Sequence, residues 1–203
     1  MIIANAIPSK SGRLTLVPPS ESDDESVSAL RSHPDTRRHL RYLPERFSVA
    51  DARARRISRS SDPSLVDFHI HMAATSEFVG TTGIFRIDTD YAGGRSCEVG
   101  ILVGPAFVRG GIATDALCAV LAWVFEARGF HRAVFQTGAD NAAMRAWLEK
   151  AGATLEGRQR ECWADPDGGY TDVCLYAILE REWMEVVKGR LEARITRTAP
   201  SFN

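Results

Sequence analysis

The sequence predicts an α/β domain, α+β in its arrangement, with a mixed, mostly antiparallel central sheet and helices on both faces. Three observations lead there. Residues 65–103 hold three successive segments of strand chemistry, which read as a meander. Residues 112–128 are apolar nearly all round (Leu117, Val120, Leu121, Trp123, Val124, Phe125), as expected of a helix packed on a sheet rather than a surface helix. Beyond it strands and helices alternate, and that alternation demands a mixed sheet with helices on its faces.

In chain order, residues 1–10 carry no periodicity and read as a loose tail. Arg13 to Val17 alternates polar and apolar residues and stops at Pro18-Pro19, so it is a short strand. Helical stretches follow at Glu21–Ser32, Asp35–Leu40 and, more strongly, Val49–Ser60. In the last, Arg53, Arg55, Arg56 and Arg59 read as a solvated face. Within Leu65–Ala73, Val66, Phe68, Ile70 and Met72 share one side of a strand, and Asp67, His69 and His71 share the other. Phe78–Ile87 is β-rich, and Asp88–Gly94 has hairpin-loop chemistry. Arg95–Val103 puts Cys97, Val99, Ile101 and Val103 on one side. Gly129 suits the C-terminal cap of the 112–128 helix. Ala133–Thr137 is a short strand. Asn141–Ala151 is an amphipathic helix through Met144, Trp147, Leu148 and Ala151, ended by Gly152. Thr154–Trp163 and Tyr170–Leu179 read as strands paired around a turn at Asp165–Gly169. A helix is expected from Glu180 to about Arg197, then a frayed end at Ala199–Asn203.

Hydrophobic residues make up 44% of the 203 and charged ones 25%, ordinary values for a globular protein with a real core. The 25 basic and 26 acidic residues give a net charge of −1, so no global field recruits nucleic acid or an anionic membrane. No apolar run approaches the ~18 residues of a membrane span, and the first residues lack a signal-peptide pattern. Cys97, Cys118, Cys162 and Cys174 show no CxxC spacing and read as free thiols, most of them buried. Together these predict a soluble, cytoplasmic protein.

The segment that speaks most about function is Val103 to Asp115: a strand, a tight loop carrying Gly110-Gly111, and the first turn of a helix. A helix start aims uncommitted N–H groups and a partial positive charge outward, and glycines let backbone approach an anion, so this is a ready phosphate or diphosphate site. Neither a Gly-x-Gly-x-x-Gly nor a Walker-type motif occurs. His69 and His71 beside Asp67 could suggest a metal site, but spacing identifies no further ligand, and a solvated or pocket-lining face is expected instead.

On these residues the chain resembles the GCN5-related N-acetyltransferase (GNAT) superfamily, most closely the branch that acetylates ribosomal-protein N-termini and related amines. The superfamily's Gln/Arg-x-x-Gly-x-Gly/Ala signature falls on Val108-Arg109-Gly110-Gly111-Ile112-Ala113, and Thr114-Asp115-Ala116 resembles the branch's usual Thr-Glu-Ala. Asn141 with Leu148-Glu149-Lys150-Ala151-Gly152, Asp172–Tyr176, and Glu182-Trp183 extend the likeness over about residues 13–183. Two positions depart from it. Val108 stands where Gln or Arg is usual, and the usual Tyr and Ser proton donors are replaced by Leu148 and Met144.

The resemblance implies an acetyl-CoA-dependent transfer to a primary amine by direct attack in a ternary complex. The acceptor would be a small amine or a protein N-terminus, and no metal is needed. Backbone of Ile101, Leu102 and Val103 would hold the pantetheine arm. The loop of Val108, Arg109, Gly110, Gly111, Ile112, Ala113 and Thr114 would hold the diphosphate, and Asn141 would bond the arm. Glu98, with small Gly100 on the same strand face, is the candidate general base, the other reading being an exposed strand glutamate; Tyr176 reads as a core tyrosine with a satisfied hydroxyl, or else lines the acceptor pocket or donates a proton. That pocket is expected from the early helices, the 88–94 loop and the 165–169 turn. The alternative is a non-catalytic acyl-CoA-binding or sensing module of the same fold. The expected organisation is a tail (1–12), the acetyltransferase domain (13–183) and a C-terminal helical extension (184–203). Residues Trp183, Met184, Val186 and Val187 could serve a homodimer or pack within a monomer.

Overall fold

The computed structural model describes residues 5–40, 43–88, 95–165 and 168–198. Its strands are β1 (Ile7–Pro8), β2 (Leu14–Val17), β3 (Val66–Met72), β4 (Phe78–Asp88), β5 (Ser96–Val103), β6 (Arg132–Gly138), β7 (Thr154–Ala164) and β8 (Tyr170–Leu179). They form one sheet in the order β1-β2-β3-β4-β5-β6-β8-β7. Every neighbouring pair is antiparallel except β5–β6, which is parallel. The helices are α1 (Asp24–Ser32), α2 (Pro34–Arg37), α3 (Val49–Ser60), α4 (Ile112–Ala122), α5 (Ala142–Ala151), α6 (Glu180–Glu182) and α7 (Lys188–Thr198).

The alternation in β3 sets the two layers. Val66, Phe68 and Ile70 are buried in the main core with α4, and the Phe68 ring meets Trp123 edge-on at 5.5 Å. On the opposite side Asp67 takes Arg59 of α3, while His69 and His71 take Asp23, in the turn before α1. So α4 covers one face and α1 with α3 the other. Helix α3 begins with a capping box: the Asp51 N–H donates to Ser48 Oγ (3.1 Å), and Asp51 Oδ2 accepts from the Ser48 N–H (2.8 Å).

Several sequence expectations need correction. The loose tail is not loose throughout. Ile7 and Pro8 pair with Leu16 and Thr15, a strand too short to show a period of two. The Asp35–Leu40 helix shrinks to Pro34–Arg37, started by proline at its first turn and by His33 Nδ1 accepting from the Asp35 N–H. The 112–128 helix widens into a π turn over Trp123–Ala127. Arg56 and Arg59 do not lie on a solvated face; each is a half-buried fork on a carboxylate, Asp24 and Asp67 respectively.

Trp183 and Val187 are fully buried, and with Leu191 and Ile195 they form an apolar stripe against the core; Trp183 stacks on Phe125 at 5.8 Å. That stripe serves packing within the chain, while Met184 and Val186 remain exposed. Cys97, Cys118 and Cys174 are buried and Cys162 is exposed, all of them free; burial pushes the Cys97 and Cys118 thiols up to about 12. No helix among the described residues is long and apolar enough to cross a membrane. The expected loop over 89–94, the centre of the 165–169 turn and the end at 199–203 lie outside the described residues.

Candidate active site

The parallel pairing of β5 and β6 lasts only from Ser96–Arg132 to Glu98–Val134. Beyond Glu98, β5 continues to Val103 bonded to β4, while β6 continues to Gly138 bonded to β8. The strands therefore diverge, and the β6-facing edge of Val99–Val103 carries backbone groups with no strand partner. An extended chain could add there as a strand does. A cavity of about 1350 Å³ opens along this divergence. Ile101, Leu102 and Val103 line it, as do Val108, Arg109, Ala113, Asn141, Met144 and Trp147.

At the end of β5 the chain turns through Pro105–Phe107 into the loop. Arg109 (φ +68°) and Gly111 (φ +78°) both adopt the left-handed region, and Gly111 is the N-cap of α4. Having no side chain, Gly111 leaves the first N–H groups of α4 uncapped, and these groups lack intrahelical acceptors. Val108 and Arg109 are exposed. The loop is braced from behind. Asp115, fully buried in the first turns of α4, accepts from the Ser9 hydroxyl (2.9 Å), from the Ser11 N–H (3.3 Å) and from the Ser11 hydroxyl; Arg13 Nη1 donates to Gly110 O (3.3 Å). This brace was invisible in the sequence because its halves lie about a hundred residues apart.

Two loop-side residues do double duty. Asn141 caps α5, its Oδ1 accepting from the Met144 N–H (3.1 Å), so its amide NH₂ is the group left for a ligand. The Thr114 hydroxyl accepts from Trp147 Nε1 (3.0 Å), which leaves its backbone N–H. Gly110, Gly111, Ile112 and Thr114 likewise offer backbone rather than side chain.

Glu98 sits at the vertex of the divergence, buried and lining the cavity. Its Oε2 accepts from Arg86 Nη1 at 2.7 Å. Burial pushes the carboxyl above the usual Glu value, against the opposing pull of Arg86. Arg86 was missed in the sequence because it breaks strand alternation. The β4–β5 register shifts between Phe85 and Asp88, and Arg86 takes φ +51° within that irregularity. Gly100, on the same strand face, accommodates the Phe85 ring: a Cβ there would lie 2.9 Å from it.

Of the two readings of Tyr176, the structure matches the core tyrosine and not the pocket-lining proton donor: it is fully buried, its hydroxyl donates to Glu149 Oε1 (2.8 Å), and it is not among the cavity-lining residues. The cavity lining among the described residues contains neither tyrosine nor serine; Met144 lines it and Leu148 is buried in the core. The wall also includes Asp24, Arg55, Arg56, Arg59, His69 and Arg86, together with Trp163 and Asp165. The early helices and the start of the 165–169 turn thus contribute as expected.

His69 and His71 do find a third polar partner, Asp23, which spacing could not reveal. Asp23 Oδ2 lies 2.7 Å from His69 Nδ1 and 3.0 Å from His71 Nε2. A carboxylate only accepts, so each imidazole carries its proton on the nitrogen facing Asp23. Burial lowers the His69 pKa, and a neutral ring suffices for that hydrogen bond.

A mixed sheet with one short parallel pairing, a glycine-capped helix start and a cavity running along the divergence are now joined by a direct match. Residues 13–154 match the family described as the acetyltransferase (GNAT) domain, and the chain belongs to that family. It is an N-acetyltransferase by class. YnaD of Bacillus subtilis (strain 168), an uncharacterized N-acetyltransferase, is 26% identical over 146 residues, 71% of this chain and 82% of the relative. Mycobacterium smegmatis RimJ, solved with CoA-disulfide, superposes with a TM-score of 0.77 at 25% identity, covering 94% of this chain and 93% of that one. The spermidine N-acetyltransferase of Vibrio cholerae, solved with CoA and spermine, shares the fold with a TM-score of 0.77 at 19% identity; 85% of this chain and 99% of that one are covered.

Proposed function

We propose that this enzyme transfers the acetyl group of acetyl-CoA to a primary amine by direct attack in a ternary complex. The observation that carries the reading is the divergence of β5 from β6, with Glu98 at its vertex and the glycine-capped start of α4 at its mouth. The bound CoA-disulfide of RimJ, a neighbour of the same fold, supports a coenzyme site in this family. The unpaired edge of Val99–Val103 suits a pantetheine arm, whose amides can bond it as a strand would, and the Arg109–Thr114 amides suit the diphosphate. Asn141 offers its amide NH₂ to the arm. Acetyl-CoA supplies an activated thioester acetyl group.

The residues supply position and a proton acceptor. Glu98 takes one proton from the acceptor ammonium, directly or through water, leaving a neutral amine. The amine nitrogen then forms the C–N bond as the C–S bond breaks. The nitrogen gives up its second proton; of the two protons released, one ends on the departing thiolate and one in solvent. A backbone N–H in the Ile101–Val103 stretch would polarise the carbonyl. Holding the two reactants together supplies much of the barrier reduction, on the order of 7 kcal/mol or more.

The test is thiol release from acetyl-CoA with a panel of amines and N-terminal peptides, beside calorimetric binding of CoA. Amine-dependent release that Glu98→Gln abolishes while CoA still binds supports the assignment. Release that Glu98→Gln leaves intact removes Glu98 from it.

A further inference from the structure

We propose that the acceptor is a zwitterion, a small amine carrying a carboxylate next to its ammonium group, and that Arg86 is the residue that selects it. The inference rests on the acetyl-transfer reading and names its substrate class. Glu98 and Arg86 form an ion pair, Oε2 to Nη1 2.7 Å, inside the cavity at the vertex where the strands part. Their side chains are unequally exposed, 11% for Glu98 and 68% for Arg86. The pair therefore presents a deep negative end and an outer positive end side by side.

A ligand with the opposite pattern can replace each partner for the other. Its ammonium takes Glu98 at the depth where acetyl transfer is proposed, and its carboxylate takes the Arg86 fork nearer the mouth. A purely cationic amine has nothing to offer Arg86: it must either part the pair and leave a guanidinium unanswered, or bind beside an intact pair that holds the base. The surrounding wall points the same way. Among the described residues, and leaving Arg109 to the coenzyme loop, six arginines, five acidic side chains and no lysine line the cavity, so the wall offers no acidic excess for a polycation.

The left-handed φ of +51° at Arg86, within the irregular stretch of β4, is a conformation L-residues adopt at some cost. Acetylation then removes the positive charge from the nitrogen. The product loses its hold on Glu98, the Glu98–Arg86 pair closes again, and release follows.

The experiment measures thiol release from acetyl-CoA with free alanine, methionine and phenylalanine, with their carboxamides, and with spermidine, for the wild type, Arg86→Gln and Arg86→Lys. Because Arg86 is largely exposed, both variants should fold, which circular dichroism checks. The expected result is a kcat/KM for each free acid about tenfold or more above that of its carboxamide and of spermidine, the scale of one charged hydrogen bond. In Arg86→Gln that ratio falls to about 1, and Arg86→Lys keeps part of it. Carboxamides or spermidine used as well as the free acids, or a ratio unchanged in Arg86→Gln, overturns the carboxylate inference and leaves acetyl transfer standing. No release with any of these amines, while the wider panel of amines and N-terminal peptides still gives release, overturns this inference alone; no release across both panels overturns the proposed acetyl transfer, and this inference with it.

Discussion

Glu98 is buried deeply enough that its carboxyl titrates above the ordinary Glu value in spite of Arg86. For the proposed base this is useful, since proton transfer is most effective when the pKa approaches the working pH. Glu98→Gln should lower kcat by about 10²–10⁴-fold while CoA affinity holds. The same shift has a stability consequence. Because the folded chain holds this proton more tightly than the unfolded one, stability falls as pH rises through and above about 4.5, the unshifted value. Denaturant melts of wild type and Glu98→Gln from pH 4 to 7 should diverge in the variant's favour as pH rises; a constant difference would contradict the burial argument. Tyr176→Phe is the contrasting case. It removes the hydroxyl's hydrogen bonds to the exposed Glu149 and to Arg145, so a loss of about 1–2 kcal/mol with unchanged kcat is expected. The residue scale is also where sequence said least. Alternation sorted Asp67, His69 and His71 from Val66, Phe68 and Ile70, but it could not name Asp23, 46 residues from His69. It left Tyr176 open between a core position and the acceptor pocket, because alternation gives a face and not what covers it. It passed over Arg86, because an irregular strand breaks the period on which the reading depends.

At the scale of elements, the loop and α4 act as one piece because Asp115 ties them to the β1–β2 hairpin. Buried Asp115 accepts from Ser9 and Ser11, and Arg13 reaches Gly110 O, so the first turn of α4 is held against the sheet edge. The loop itself was legible in sequence, since Gly110-Gly111 after an apolar strand and before an apolar helix leaves few local alternatives. Its brace was not, since Ser9 and Ser11 fall in a stretch without periodicity and Asp115 reads as an ordinary first-turn acid. Asp115→Ala leaves two serine hydroxyls without their acceptor, a cost of roughly 2 kcal/mol. Thermal melting should register that loss. If the brace also fixes the loop amides, CoA affinity should fall by more than stability alone accounts for, at temperatures where the variant is fully folded. Affinity unchanged at such temperatures would show that the loop keeps its shape unaided.

For the whole molecule the governing feature is a sheet that opens in its middle. Outside β5 and β6 each strand is secured by its antiparallel neighbours, and the core of α4, β3, β4 and the Trp183–Ile195 stripe closes one face. The divergence follows from chain connection: β6 is parallel to β5 over three residue pairs, then follows β8 for its full length. The mixed sheet and its helical layers could be read from element order, but not the point of separation, because strand periodicity is the same in a paired and an unpaired edge. A ligand lying in the opening would bridge the two halves, and binding to the folded state alone must raise its stability. At a concentration of a hundred times Kd the gain is about 2.7 kcal/mol. For a chain of this size that corresponds to roughly 5–10 °C in melting temperature. CoA should give such a shift, and pantetheine, which lacks the diphosphate, a much smaller one at equal concentration. Equal shifts from both would mean that the loop at Arg109–Thr114 adds nothing to binding. No shift from CoA, under conditions where an amine is acetylated, would mean that the opening closes only around the full ternary complex.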